Sequence, residues 1–210
     1  MTAPAPSPIT LAVRDAEAAC GAEVVVVGYR AADPYLDIAW RNAAVGSLLA
    51  LAFVLVVPVD IEHDFVFPIV ALLTVLTLLA SLAAPIVRLT SSKARRDHAV
   101  EVATQSAFFA RGVHKTKERI GMLVVWFERE REVRVVFDRG LEQRVPEDVR
   151  ALVSSRLHQA MLDDGARAAA IAAIGPAFAP FVPRAHDDDN ELDDDVEHGA
   201  VANRVGRGRV

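Results

Sequence analysis

Disulfide chemistry is excluded first, because the chain has one cysteine, Cys20. A free thiol suits a reducing compartment, and Cys20 itself reads as a small apolar core residue. The amino-terminal MTAPAPSP has neither a basic segment nor an apolar stretch, so no cleaved signal peptide is expected. Six histidines (His63, His98, His114, His158, His186 and His198) are scattered and make no HxxxH or Cys/His pattern, which argues against zinc. Walker, dinucleotide-binding and nucleophile-elbow motifs are missing. So are repeats of solenoid period. A net charge of −5 argues against a nucleic-acid partner.

Charge is also nearly missing from Ala43 to Leu89, where two apolar runs flank the acidic stretch Asp60-Ile61-Glu62-His63-Asp64. Phe65 to Val87 has no Asp, Glu, Lys or Arg. As one helix it would be roughly 35 Å long, enough to cross a hydrocarbon core of about 30 Å. The first run, Ala43 to Val59, is near the short limit for a span, with Trp40 and Arg41 as interfacial anchors. Pro68 falls in the first turn of the second helix and Pro85 near its end, where a kink is expected. Arg30 and Arg41 precede the hairpin, and Arg88, Lys93, Arg95 and Arg96 follow it, while the connection has no Lys or Arg. The positive-inside bias then puts both termini in the cytoplasm and residues 60–64 outside an inner membrane. Small residues at Gly46, Ser47, Ser81 and Ala83-Ala84 could serve homo-oligomerisation through the hairpin. The spans lack ionisable residues, which argues against a channel or transporter.

The flanking sequence reads as one domain in two pieces, 9–42 and 90–183, with the hairpin at 43–89 and a tail at 184–210. Ile9 to Cys20 has helical spacing and Gly21 as a stop. Glu23 to Gly28 is a β-branched run expected to be buried on both faces. Asp33-Pro34 resembles a helix start. Ser91 to Arg111 keeps helical spacing, with Ala99, Val102, Ala103, Ser106, Phe109 and Ala110 on one face and Gly112 as its end. Gly121–Phe127 and Val133–Asp138 read as a hairpin around the charged link 128–132, a solvated tip. Pro146-Glu147-Asp148 opens another helix with Val149, Leu152, Val153, Leu157, Ala160 and Met161 as its stripe, ended by Asp163-Asp164-Gly165. An Ala-rich helix follows from about Ala166, broken near Gly175-Pro176. The run Asp187–Glu197 is densely acidic and is followed by a short basic end with Arg204, Arg207 and Arg209, so a disordered tail is expected. It fits no EF-hand register. A strand of four valines cannot stand alone, so its partners must be the strands after the hairpin.

The stretch Thr116–Val145 resembles the core of the TPM-domain family. The likeness lies in the polar lead Lys117-Glu118-Arg119, the strand opened by Gly121, the charged turn, the second strand, and the segment Asp138-Arg139-Gly140-Leu141-Glu142. Cys20-Gly21-Ala22-Glu23 with its valine run, and Phe181-Val182-Pro183 followed by Asn190-Glu191-Leu192, extend it over most of 10–195, towards a bacterial subgroup with an inserted membrane hairpin. The resemblance implies an α/β/α sandwich with a small mixed sheet. It also implies either weak acid phosphatase activity with a divalent ion or a non-catalytic accessory role for a membrane complex. The family's secreted members differ from this chain, whose domain is expected to face the cytoplasm.

The 138–142 segment is the best candidate site. Asp138 and Glu142 can offer hard oxygens to Ca²⁺ or Mg²⁺. Gly140 permits positive φ and close backbone approach, and Arg139 can hold a phosphate bidentately. Thr116 and Arg119 lie just before the second strand and complete the binding set. An ordinary strand-to-helix turn with solvated charges has the same sequence pattern. A lipid bilayer and a membrane protein complex are the expected partners. The leading expectation is a membrane-anchored, non-catalytic interaction domain, and the alternative is a metal-assisted phosphatase.

Overall fold

The computed structural model describes residues 7–56, 63–116, 118–160, 163–184 and the backbone of 197–199. Its contacts divide the chain into two units, Pro34–His98 and the remainder on either side of it. The inserted unit is therefore longer at both ends than the expected 43–89.

The outer unit begins with α1 (Pro8–Ala19). Ser7 caps it by accepting the Thr10 N–H at 3.1 Å, and Pro8 occupies the first turn, where no N–H is needed. Strand β1 (Glu23–Tyr29) follows. The inserted unit contributes α2 (Leu36–Val56), α3 (His63–Ala80), α4 (Ala84–Thr90) and the start of α5 (Lys93–Ala110). The outer unit resumes with a 3-10 turn at Val113–Lys115, β2 (Gly121–Phe127) and β3 (Glu132–Phe137). Helices α6 (Arg139–Arg144), α7 (Glu147–Gln159), α8 (Asp164–Ala172) and α9 (Ile174–Phe178) come next, and a short strand β4 (Glu197–Gly199) last.

The sheet order is β3-β2-β1-β4. β1 and β2 are parallel, β2 and β3 antiparallel, so the sheet is mixed. The valine strand thus finds its partner across the insertion, from Glu23 opposite Gly121 to Tyr29 opposite Phe127. β2 is buried throughout and β1 everywhere but Glu23, as central apolar strands require. Val24, Val26, Met122, Val124 and Trp126 share one face by the two-residue period of a strand. They join Ile9, Val13 and Ala16 of α1, Val153 and Leu157 of α7, Ile171 of α8, and Ile174 and Phe178 of α9 in one core. The Arg167 guanidinium sits 4.9 Å from the Trp126 ring centroid, a cation–π arrangement. The edge of β1 beside Val24 is covered by Glu17, whose Oε1 accepts the Val24 N–H at 2.9 Å.

Several expectations change. Asp33-Pro34 does not start α2. Tyr35 follows with φ 54° and the helix begins at Leu36, because a left-handed residue cannot lie inside a right-handed helix. The second apolar run is not one helix: α3 stops at Ala80 and α4 leaves it at 95°. Pro85 has no N–H for the Ser81 carbonyl, and its ring would clash there, so it is accommodated in the first turn of a new helix. Pro68 lies inside α3 rather than in its first turn, since α3 starts at His63. α5 is separate from α4, and its buried face is Ala99, Val100, Ala103, Thr104 and Ala107, while Val102 and Phe109 are exposed. Its stop is as read: Gly112 has φ 70°. Asp163 opens α8 instead of closing α7, accepting the N–H groups of Gly165 and Ala166. Leu152 of the expected α7 stripe is half-exposed, and Met161 lies outside the described residues. Most of the acidic tail also lies outside them, but Glu197–Gly199 pair with Val27–Tyr29, a difference from an unstructured tail.

Candidate functional site

The residues singled out at 116–119 and 138–142 do meet, and Arg119 joins them. Arg119 has φ 58°, which turns its side chain and carbonyl back towards α6. Its backbone N–H donates to the Thr116 carbonyl at 3.1 Å, and its carbonyl accepts the Gly140 N–H at 2.8 Å. Its Nη1 donates to the His114 carbonyl at 2.8 Å, and its Nε lies 3.2 Å from Asp138 Oδ2. Glu118 and Arg144 add an exposed ion pair at 2.6 Å.

The 138–142 segment is not a loop. Asp138 caps α6 by accepting the Arg139 N–H at 2.8 Å, and Arg139, Gly140, Leu141 and Glu142 form the first turn. Gly140 has no positive φ, but close approach does demand a glycine. A β-carbon there would come within 2.6 Å of the Arg119 carbonyl oxygen, and closer still to that of Glu118.

The described residues do not fit a divalent ion. Asp138 is buried and occupied by the Arg139 N–H and the Arg119 guanidinium. Glu142 is exposed, 3.9 Å from Arg150. Among the described residues no three His, Cys, Asp or Glu side chains gather as ligands. Asp138 beside the Arg119 guanidinium and Glu142 near that of Arg150 give a cationic surround, the opposite of what Ca²⁺ or Mg²⁺ needs. Thr116 Oγ1 and His114 Nδ1 are buried without a hydrogen-bond partner among the described residues, while buried Asp138 Oδ2 faces Arg119 as an ion pair. Thr116 is therefore not hydrogen-bonded to a base among the described residues. The His114 ring packs 5.3 Å from that of Phe109.

The charged link 128–132 is not a solvated tip. The Glu128 N–H donates to the Tyr29 carbonyl and the Arg129 N–H to the Arg30 carbonyl, both at 3.0 Å. Glu130 is buried, and its Oε1 accepts the Ala32 N–H at 3.2 Å. The turn thus clamps the end of β1, where the chain departs for the insertion. The alternating charges gave no sign of this, because the contact depends on the parallel register of β1 and β2.

Within the inserted unit, α2 and α3 pack along each other. Ser47 Oγ and Thr74 Oγ1 are 2.6 Å apart, each hydroxyl also donating to the carbonyl four residues back. A β-carbon on Gly46 would come within 2.8 Å of Thr77 Oγ1. Gly46 and Ser47, read as oligomerisation residues, thus serve the contact inside one chain, and Ser81 is buried. The outer surface of the pair is apolar: Leu48, Leu49, Phe53, Leu55, Val56, Phe65, Phe67, Leu72, Leu76 and Leu79 are exposed. Among the described residues α2 alone is long and apolar enough to cross a membrane by itself; α3 meets that measure only together with the bent α4.

No family model matches the chain, and no curated protein matches it in sequence. Among solved structures, it is similar to the NMR structure of BA42 protein from the psychrophilic bacteria Bizionia argentinensis sp. nov.. The identity is 14%, the TM-score is 0.53, and the match covers 95% of this chain and 99% of that one. At that identity the likeness defines the class of fold, a helix-rich mixed α/β domain, and nothing further.

Proposed function

We propose that the protein is a membrane-anchored, TPM-like accessory domain. In this reading the α2–α3 pair spans an inner membrane and the sheet unit stays on its cytoplasmic side, where it binds a membrane protein complex without catalysis. The observation that carries the reading is the exposed apolar surface of α2 and α3, inserted between two strands that must pair. So many exposed leucines and phenylalanines on one helical pair far exceed the apolar patch of an ordinary soluble surface. The acidic side of the connection and the basic residues at the other end of the pair set the orientation. The BA42 likeness supports the fold of this proposal and no more.

The 116–142 constellation is, in this reading, structural support for the β2–β3 hairpin and α6. The alternative of a divalent-metal phosphatase is disfavoured by the Arg119 guanidinium at Asp138 and the Arg150 guanidinium near Glu142. A phosphatase assay on the detergent-purified chain, with Mg²⁺ or Ca²⁺ and with Asp138→Ala as the control, tests the choice. The expected result is no turnover above the detergent blank. Turnover lost in Asp138→Ala would replace this reading with the enzymatic one.

A further inference from the structure

The base of the inserted unit holds a basic collar that orientation alone does not account for. Arg41 of α2 donates from Nη2 to the Thr90 carbonyl at 2.5 Å, while Asn42 Nδ2 donates to Thr90 Oγ1 at 3.0 Å. Arg96 of α5 donates from Nη1 to the Arg88 and Ser91 carbonyls at 2.9 and 2.7 Å. The two guanidiniums thus cap the last carbonyls of α4, the groups a helix end leaves unpaired. They hold α4 across the direction of α3, at the 95° bend. Arg88 on α4 is half-buried and its buried Nε has no hydrogen-bond partner among the described residues, while Lys93 at the start of α5 is exposed. Arg95 lies 3.5 Å from Asp37 and over the Tyr35 ring. Residues 34–42 and 88–98, the two ends of the inserted unit, together carry five basic residues (Arg41, Arg88, Lys93, Arg95 and Arg96) against two acidic ones (Asp37 and Asp97). Exposed Trp40 and Leu89 stand among them.

We infer that this collar is a seat for the phosphate of an anionic phospholipid, with α4 lying in the membrane interface. The inference rests on the anchor reading above. A helix set across a span, with exposed Leu89 and basic neighbours, has the composition of an interfacial helix. Guanidinium groups match phosphate oxygens in geometry. Arg41 and Arg96 hold the backbone, and Arg88 and Lys93 are left to meet the headgroup. Arg41 stands on the same helix as exposed Leu48, Leu49 and Phe53, so headgroup and acyl chain are matched by successive parts of α2. This commits the site to a lipid rather than to a soluble phosphate.

The test is lipid retention by the full chain in detergent, read by native mass spectrometry with phosphatidylglycerol or phosphatidylcholine added. The wild type is expected to retain phosphatidylglycerol at least about tenfold better. Each collar charge near an anionic surface contributes about fivefold. Arg88→Gln with Lys93→Gln should therefore erase most of the preference, with helical content by circular dichroism unchanged, since neither side chain caps α4. Equal retention of the two lipids by the wild type would overturn the inference, as would a double variant that keeps the preference. Displacement of phosphatidylglycerol by millimolar inorganic phosphate would also overturn it, in favour of a soluble ligand. Carbonate extraction separates the two claims. An extraction-resistant protein without lipid preference loses only the collar, whereas an extractable one loses the anchor as well.

Discussion

Val26 and Val124 stand opposite each other in adjacent parallel strands, with the whole of Pro34–His98 between them in sequence. The sheet unit therefore cannot finish its core until the inserted helices have been made and the chain has returned. An insertion that leaves and returns on one side of a membrane meets that condition.

The buried strands of the sheet should be sensitive to truncation on both of their faces. Leu123 of β2 is fully buried. Leu123→Ala is expected to lower stability by about 2–5 kcal/mol, the usual cost of a large-to-small core change. Thermal or denaturant unfolding of the purified chain measures it.

Gly140 and Gly165 should respond in opposite ways to the same substitution. Gly140→Ala forces a β-carbon into two backbone carbonyls, which can move only by displacing the 118–119 turn, and about 1–3 kcal/mol of destabilisation is expected. At Gly165 the nearest atom to such a carbon is Asp163 Oδ1 at 3.7 Å, in the first turn of α8. Gly165→Ala should stabilise by about 0.5–1 kcal/mol through helix propensity and a less flexible unfolded chain. Paired melting curves check the contrast.

Glu130 offers a further contrast. Glu130→Ala leaves the buried Ala32 N–H without its acceptor, with an expected loss of about 1–3 kcal/mol. Glu130→Gln keeps an acceptor oxygen and should stay within about 0.5 kcal/mol of the wild type. Hydrogen exchange at Ala32 should quicken in the alanine variant and not in the glutamine one.

At Asp138 the cap and the ion pair can be separated. Asp138→Ala removes both and is expected to cost about 1–2 kcal/mol, whereas Asp138→Asn keeps a cap acceptor and should cost less. Denaturant titration of the two variants gives the difference.

What the sequence made legible was periodic or local. The valine run, the Gly121 strand, the β2–β3 hairpin, the Gly112 stop and the start of α7 all follow from spacing, turn residues and proline or glycine chemistry. The requirement that the valine strand pair across the insertion was also readable, because a strand of that kind cannot stand alone. What was not legible depended on contacts between distant residues. The Glu130–Ala32 hydrogen bond follows from β1 and β2 being parallel and in register, which alternating charges cannot reveal. The helix opened by the Asp138 cap was not legible, since a cap and one helical turn are too short for a periodic signal. Pro85 announced a kink, but a full right-angle bend also required the arginines of α2 and α5 to hold the far end of α4. The rotation of the α5 face came from small residues: Ala, Val and Thr leave little contrast between one side of a helix and the next.

The central claim, an inserted pair of helices that crosses a membrane and returns, is tested most directly by labelling single cysteines in intact cells. In a Cys20→Ala background, Glu62→Cys should react with a membrane-impermeant maleimide before lysis, and Arg129→Cys only after it. Labelling of both positions in intact cells, or of Arg129→Cys alone, would contradict the account.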